Sequence, residues 1–469
     1  MIQRLDVLPL MNGVIGLPSW STRFMSKMRM KSPVLSPTER IPTYRSTSHC
    51  DTLTSTLLSV PNTKKTKDKV IVVSGPTGAG KSRLALELAK RLNGEIVSAD
   101  SVQVYRGLDI GSAKPSIEER AEVPHHLLDI LHPSEDYSAG QFFEDARKAT
   151  NCIIEKGLVP IVAGGTGLYL RWYIYGKPDV PKASLEITNE VWSELVDLQK
   201  KGNWDAAVEL VVKAGDPKAH NVPANDWYRL RRSLEIIRSS GSPPSAFSVP
   251  YDSFRGQAES KSADRSSDEI SAVNGPGELP TKELDYDFIC IFLSSPRIDL
   301  YRSIDLRCEE MLMEPEGLLT EASWLLDIGL RPNMNSATRA IGYRQAMEYL
   351  QSCRIKGGRS SPEEFYAFLS EFQKASRNFA KRQMTWFRNE LIYQWIDASQ
   401  PFDKVVEFIC NAYCDRNERV VPEPLKMKKE STGRQESNEL KSYRAKNKHF
   451  ISDEDCGRVL SWIRRTQRK

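Results

Sequence analysis

The sequence predicts an α/β fold, a parallel sheet flanked by helices, and three observations carry that expectation. The first is GPTGAGKS, residues 75–82, which satisfies the phosphate-loop pattern G-x-x-x-x-G-K-[ST] at Gly75, Gly80, Lys81 and Ser82. The second is its setting. The β-branched run Val70-Ile71-Val72-Val73 precedes it, and Leu84, Leu88 and Leu92 follow at helical spacing with Ala85 and Ala89 beside them. The third is a second strand–glycine–helix junction, in which Val159 to Ala163 leads through Gly164-Gly165-Thr166-Gly167 into a helix at Leu168. Together they describe a P-loop NTPase-like core.

A loop between a buried strand and a helix N-terminus turns backbone N–H groups and the positive helix end onto an anion. Pro76, Thr77, Gly78 and Ala79 complete that cradle. Lys81 offers a point charge to a terminal phosphate, and the Ser82 hydroxyl is a candidate ligand for Mg²⁺. The expected ligand is a diphosphate or triphosphate. Glu95 to Ala99 reads as a second strand ending at Asp100. Ligands in open α/β sheets sit at the carboxyl ends of strands, so Asp100 is expected to face the phosphate loop. Gln103 to Pro115 is a long polar, glycine-bearing loop, a type that is usually functional or disordered. A helix near Gln141 to Lys156 follows, and Thr166 is positioned to bring a hydroxyl to the same anion.

Beyond Pro178 the pattern turns helical and charged, with Trp192, Leu195 and Leu198 spaced as a buried stripe. Asn225-Asp226 is expected to cap a helix bearing Arg229, Arg231 and Arg232. Ser239 to about Asp285 is rich in Ser, Gly, Pro and Glu, and reads as a disordered insertion. Structure is expected to resume with the strand Phe288–Leu293 and a helix from Arg297. A helix from Pro362 to about Glu390 carries Lys374, Arg377, Lys381 and Arg388 in one sector, opposite Phe372, Ala375, Phe379 and Trp386. Such a stripe suits a phosphate backbone. The segment from Asp415 onward is basic and is expected to be flexible. Cys410, Cys414, His449 and Cys456 lack finger spacing, so no structural zinc is expected.

The domain boundaries that follow are residues 1–69, a transit peptide or disordered stretch; 70–180, the phosphate-loop core; and 181–238, a helical insertion. They continue with 239–285, a disordered insertion; 286–408, core completion and C-terminal helices; and 409–469, a short helix and basic tail. With 40% hydrophobic residues, the 469-residue chain can bury a sizeable core. The 8 cysteines are scattered, which suits a reducing compartment, and the net charge of +5 is modest enough that charges matter by where they cluster. No apolar run of about 18 residues occurs, so no membrane-spanning helix is expected. The first 69 residues are rich in Ser, Thr, Arg and Met, with Asp6, Glu39, Asp51 and Asp68 as their acids, a transit-peptide composition.

The chain resembles the tRNA dimethylallyltransferases, or tRNA isopentenyltransferases, over most of residues 70–397. GPTGAGKS from Gly75, SADSVQVYRGLDIGSAKP from Ser98, PHHLLDI from Pro124 and GGTGLYL from Gly164 carry the resemblance. NDWYRLRRSLE from Asn225, RAIGYRQ from Arg339 and AKRQMTWFR from Ala380 continue it, in the family's order. The resemblance implies transfer of a dimethylallyl group from dimethylallyl diphosphate to N6 of the adenine 3′ of the tRNA anticodon, adenosine-37. tRNA breakdown would then release cis-type cytokinins. It implies that the phosphate loop, read elsewhere as ATP-binding, holds the donor diphosphate with Mg²⁺. It assigns Asp100 as general base, with Arg307 and Thr166 on the diphosphate. The tRNA anticodon stem-loop falls to Asp100, Ser101, Gln103, Asn225, Asp226, Arg229, Arg339, Gly342, Tyr343, Arg344, Arg377, Lys381, Arg382 and Gln383. A monomer and a bacterial-type enzyme of plastid or mitochondrion are implied, with the cytoplasm as the alternative compartment. Pro223-Ala224 stands where the family often has His-Pro, and Ser82 and Ser112 replace the more usual threonines.

Three other functions fit parts of the chain. An adenylate isopentenyltransferase shares the phosphate loop and the aspartate, but needs neither the helical insertion nor the basic helix. A phosphate-loop kinase would consume ATP without a prenyl product. A non-catalytic RNA-binding protein leaves Lys81 and Asp100 without a purpose.

Overall fold

The computed structural model describes residues 67–252, 254, 284–313, 317–427 and 439–468. The expectations for residues 1–66 and for most of the Ser-rich insertion lie outside these residues. The chain from Lys65 onward groups as one unit.

Strand β1 (Lys69–Ser74) runs into the phosphate loop and helix α1 (Lys81–Leu92). Then come β2 (Gly94–Ser98), α2 (Ile117–Glu122), the short β3 (His125–His126), α3 (Ala139–Glu155), β4 (Val159–Gly164) and α4 (Gly167–Tyr175). Helices α5 (Leu185–Lys200), α6 (Trp204–Ala214) and α7 (Trp227–Ser240) form the helical insertion. The core resumes with β5 (Asp287–Ser294), α8 (Arg297–Met313), α9 (Leu318–Asp327), the turn α10 (Ser336–Arg339), α11 (Tyr343–Ile355) and α12 (Pro362–Phe387). Strand β6 (Gln394–Asp397), α13 (Phe402–Cys414) and α14 (Gly457–Thr466) complete it.

The sheet order is β3-β2-β4-β1-β5-β6, with every pair parallel. A parallel sheet is covered on both faces, so its strands read as continuous apolar runs. Val70 and Val72 point to the core shared with α3, α4, α8 and α12, while Ile71 and Val73 point to the one shared with α1 and α13. Ser74 lies opposite both Gly164 and Phe292, and Ser98 opposite Ala163, so the central strands end flush. That register brings the residues after β1, β2 and β4 to one edge of the sheet.

Several expectations need correction. On α5 the buried residues are Val191 and Leu195, whereas Trp192 is 48% exposed. Leu195 and Leu198 pack on the insertion core as expected, but Val191 takes the place expected of Trp192, which faces the Arg231 guanidinium at 5.5 Å. The insertion helices bury Val191, Val211, Leu230 and Leu234 in a core of their own. Ordered structure continues past Arg238: Tyr251 and Phe254 are buried against Tyr175. The boundary expected at residue 408 falls inside α13.

The basic C-terminal stretch is packed where it is described. Arg416 and Arg419 both pair with buried Asp287, and Val421, Leu425, Phe450 and Ile463 are buried. The Asp287 that pairs with Arg416 and Arg419 lies more than a hundred residues earlier in the chain, out of reach of a local charge pattern.

Candidate active site

Gly80 takes φ +86 at the N-cap of α1, a left-handed conformation that costs glycine little, and this lets the loop curl back over the helix end. Lys81 folds over that loop and donates from Nζ to the Pro76 carbonyl at 2.8 Å. Burial, reinforced by the nearby Arg307 charge and partly offset by Asp100, pulls the Lys81 pKa down to about 8. Ser82 is exposed on the first turn of α1.

Asp100 follows β2, as expected. Its Oδ1 accepts the N–H groups of Val102 at 2.8 Å and Gln103 at 3.3 Å, an Asx-turn that fixes the carboxylate and leaves Oδ2 for another proton. Thr166 stands at the N-cap of α4, and its Oγ1 accepts the Ser101 N–H at 3.2 Å. From α8, Arg307 donates to Thr77 Oγ1 at 3.3 Å, and burial lowers its pKa.

Of these, Thr77, Asp100, Thr166 and Arg307 line a cavity of about 470 Å³; Lys81 and Ser82 stand outside its lining. Thr77, Asp100, Ser101, Thr166, Arg307, Arg339 and Arg382 give it polar walls, while Ile304, Met311, Ile341, Phe372 and Phe379 give it an apolar side. Three arginines, an acid and apolar side chains around one cavity can hold an anion, accept a proton and cover a hydrocarbon at one place.

The residues that the resemblance assigned to tRNA divide sharply. Asp100, Ser101, Arg339 and Arg382 line the cavity, and Lys381 is exposed beside Arg382 on α12. Asp226 caps α7 through the Arg229 N–H at 3.2 Å and lies 3.8 Å from Arg339, which ties the insertion to the cavity wall. Asn225 is exposed with φ 63, and Arg344 pairs with Glu348 at 3.8 Å.

The others have structural tasks. Gln383 is 6% exposed; it accepts the Thr77 N–H at 2.9 Å and donates to the Gly165 carbonyl at 3.0 Å, so it braces the two glycine loops. A Cβ at Gly165 would collide with that amide. Tyr343 is fully buried and donates to Glu321 at 2.6 Å. Gln103 spends its amide on Ser98, Ser112 and Ala113. Arg377 pairs with buried Asp305, so it is not a free member of the basic stripe. Gly342, with φ +93, is buried at the N-cap of α11, where a Cβ would press on Phe372 at 3.0 Å.

Glu321 was missed. Its carboxylate takes the N–H groups of Asp109 and Ile110 at 2.7 Å and Gly111 at 3.0 Å, so the long loop is folded against the cavity. An acid on the apolar face of Leu318, Leu319, Ala322 and Leu325 was the available signal.

Residues 103–390 match the family described as IPP transferase, and residues 68–129 match one described as isopentenyl transferase. The chain is 63% identical over 416 residues to tRNA dimethylallyltransferase 9 of Arabidopsis thaliana, spanning 87% of this chain and 90% of that one. It is 37% identical over 346 residues to tRNA dimethylallyltransferase of Protochlamydia amoebophila, spanning 74% and 88%. The fold is also that of a eukaryotic dimethylallyltransferase solved in snapshots acting on tRNA, at a TM-score of 0.52 and 24% identity over 80% of this chain and 84% of that one.

Proposed function

Since this chain belongs to the IPP transferase family of tRNA dimethylallyltransferases, we propose that it moves the dimethylallyl group of dimethylallyl diphosphate onto N6 of adenosine-37, 3′ of the tRNA anticodon. The observation that carries the reading is the meeting of Asp100, Thr166 and Arg307 in one cavity beside Lys81.

In this reading the phosphate-loop N–H groups, Lys81, Thr166 and Arg307 hold the donor diphosphate. Ser82 would hold Mg²⁺, which supplies further neutralisation of the leaving charge. As the C1–O bond breaks, its electron pair leaves on the diphosphate, and the cations stabilise that charge where it develops. The N6 lone pair forms the new bond to C1. The N6 proton passes to Asp100 Oδ2, whose partner oxygen is held by Val102 and Gln103. The adenine must leave its stack to reach the cavity, at a cost of a few kcal/mol. Contacts of the anticodon arm with Lys381, Arg382 and Arg339 offset it.

The acid-poor first 69 residues support import into a plastid or mitochondrion. The test is incubation with Mg²⁺, labelled dimethylallyl diphosphate and tRNA, followed by mass spectrometry of the nucleosides, with AMP and ATP as competing substrates. Prenylated adenosine in tRNA alone supports the reading. Label in AMP would favour an adenylate isopentenyltransferase, and ATP consumption without a prenyl product would favour a kinase.

A further inference from the structure

Helix α8 carries an arrangement that the proposed transfer chemistry does not use. Its cavity face is Ile304, Arg307, Cys308 and Met311, at i, i+3, i+4 and i+7. On the adjoining face, one turn apart, lie two buried carboxylates, Asp305 at 2% and Glu309 at 0% exposure. Glu309 Oε2 accepts three successive backbone N–H groups, Lys448 at 3.0 Å, His449 at 2.7 Å and Phe450 at 3.1 Å, and Oε1 accepts Lys448 again at 3.1 Å. Asp305 Oδ2 accepts the Tyr443 hydroxyl at 2.8 Å, and Oδ1 pairs with Arg377. Gln373 of α12 donates to Asn447 at 3.0 Å and to the Asp305 carbonyl at 3.4 Å, and Phe450 packs on Phe365 with centroids 4.9 Å apart.

An ionised carboxylate out of water costs several kcal/mol unless donors surround it. Here most of the donors come from one stretch, residues 443–450, remote in sequence from the cavity. A concave run of consecutive N–H groups is an anion cradle, and in this chain its anion is a side chain of the helix that aims Arg307. Without that cradle Glu309 must turn toward water, and a turn of α8 swings Arg307 away from Thr77.

We propose that Tyr443–Phe450 is a strap belonging to the catalytic unit, and that Glu309 and Asp305 are positioning residues that act through Arg307. The proposal rests on the role given to Arg307 in the reading above. The experiment is a double-mutant cycle in the full chain, with single-turnover and steady-state prenylation of tRNA. Glu309→Gln keeps the shape but turns an N–H₂ toward the cradle. It is expected to lower kcat about ten- to a hundredfold, as small misplacements of a catalytic group do, and to raise KM for dimethylallyl diphosphate, while KM for tRNA changes less than about twofold. Tyr443→Phe, which removes one hydroxyl, is expected to lower kcat in the same sense by a smaller factor and serves should Glu309→Gln fail to fold.

In an Arg307→Ala background both losses are expected to vanish, because there is no guanidinium left to aim. Equal fold-losses in both backgrounds, or lower thermal stability with kcat intact, would overturn the strap. An Arg307→Ala chain with normal kcat would overturn the reading of Arg307 and the strap with it. A loss with Arg307→Ala but none with either strap variant overturns the strap alone.

Discussion

The side-chain oxygen of Gln383 accepts the backbone N–H of Thr77 at 2.9 Å, across 306 residues of sequence. Through its other end Gln383 grips Gly165. Helix α12, which presents Lys381 and Arg382 to solvent, is thereby fastened to both anion-facing loops. A Gln383→Leu substitution leaves a buried donor and a buried acceptor unpaired, at about 1–3 kcal/mol each. The expected result is a lower melting temperature and dimethylallyl diphosphate affinity reduced about tenfold by calorimetry, with anticodon stem-loop affinity nearly unchanged. Unaltered donor affinity would mean that the loop keeps its shape unaided.

The pull on Lys81 predicts that binding of the proposed donor depends on pH. With a pKa near 8 in the free protein, the ammonium loses its proton as pH rises through that value. A bound diphosphate favours the charged form, so binding above about pH 8 must take up a proton. Calorimetry at pH 8.5 in buffers of different ionisation enthalpy is expected to show that uptake. Lys81→Ala should abolish it and weaken the donor, leaving tRNA affinity in place. Identical heats in all buffers would remove Lys81 from the diphosphate.

How much of this was readable in the sequence depended on the range of the interaction. The strand–loop–helix at Val70 to Leu92 is written in neighbouring residues, and so is the Asp226 cap of α7. Asp100 was found because a strand end positions it whatever surrounds it. Gln383 and Tyr343 look like surface polar residues in a basic or glycine-rich segment, yet their partners, Thr77 and Glu321, are supplied only by the tertiary fold. Arg377 has the right spacing for a phosphate-facing stripe, but the Asp305 opposite it comes from another helix. Charge in the C-terminal stretch argued for flexibility, while the buried acids that anchor it, Asp287, Asp305 and Glu309, stand more than a hundred residues earlier in the chain.

Asp100→Asn preserves an acceptor for the Val102 and Gln103 N–H groups but removes the proton acceptor facing the cavity. Both substrates should still bind, and the rate is expected to fall on the order of 10²–10⁴. Single-turnover kinetics at saturating donor is the measurement. A near-normal rate would pass the proton to another group.

The basic face of α12 separates into two kinds of cation, and mutation should tell them apart. Lys381 and Arg382 are exposed, beside a surface hollow that also includes Asn378 and Thr385. Neutralising both is expected to weaken tRNA binding and to flatten log K against log salt by roughly one unit for each phosphate no longer neutralised. Donor affinity should fall less than tRNA affinity, because the proposed diphosphate site is held by Lys81, Thr166 and Arg307, with Arg382 on the same cavity wall. Arg377 behaves oppositely. Its partner Asp305 is buried, so Arg377→Ala leaves that carboxylate with the Tyr443 hydroxyl as its side-chain partner among the described residues. Breaking such a pair costs about 3 kcal/mol, and the variant is expected to melt several degrees lower with an unchanged salt slope. A Lys381/Arg382 double variant that keeps the wild-type slope would show that this end of α12 is only a solvated face. The anticodon arm would then have to be held by the Arg339 side of the cavity.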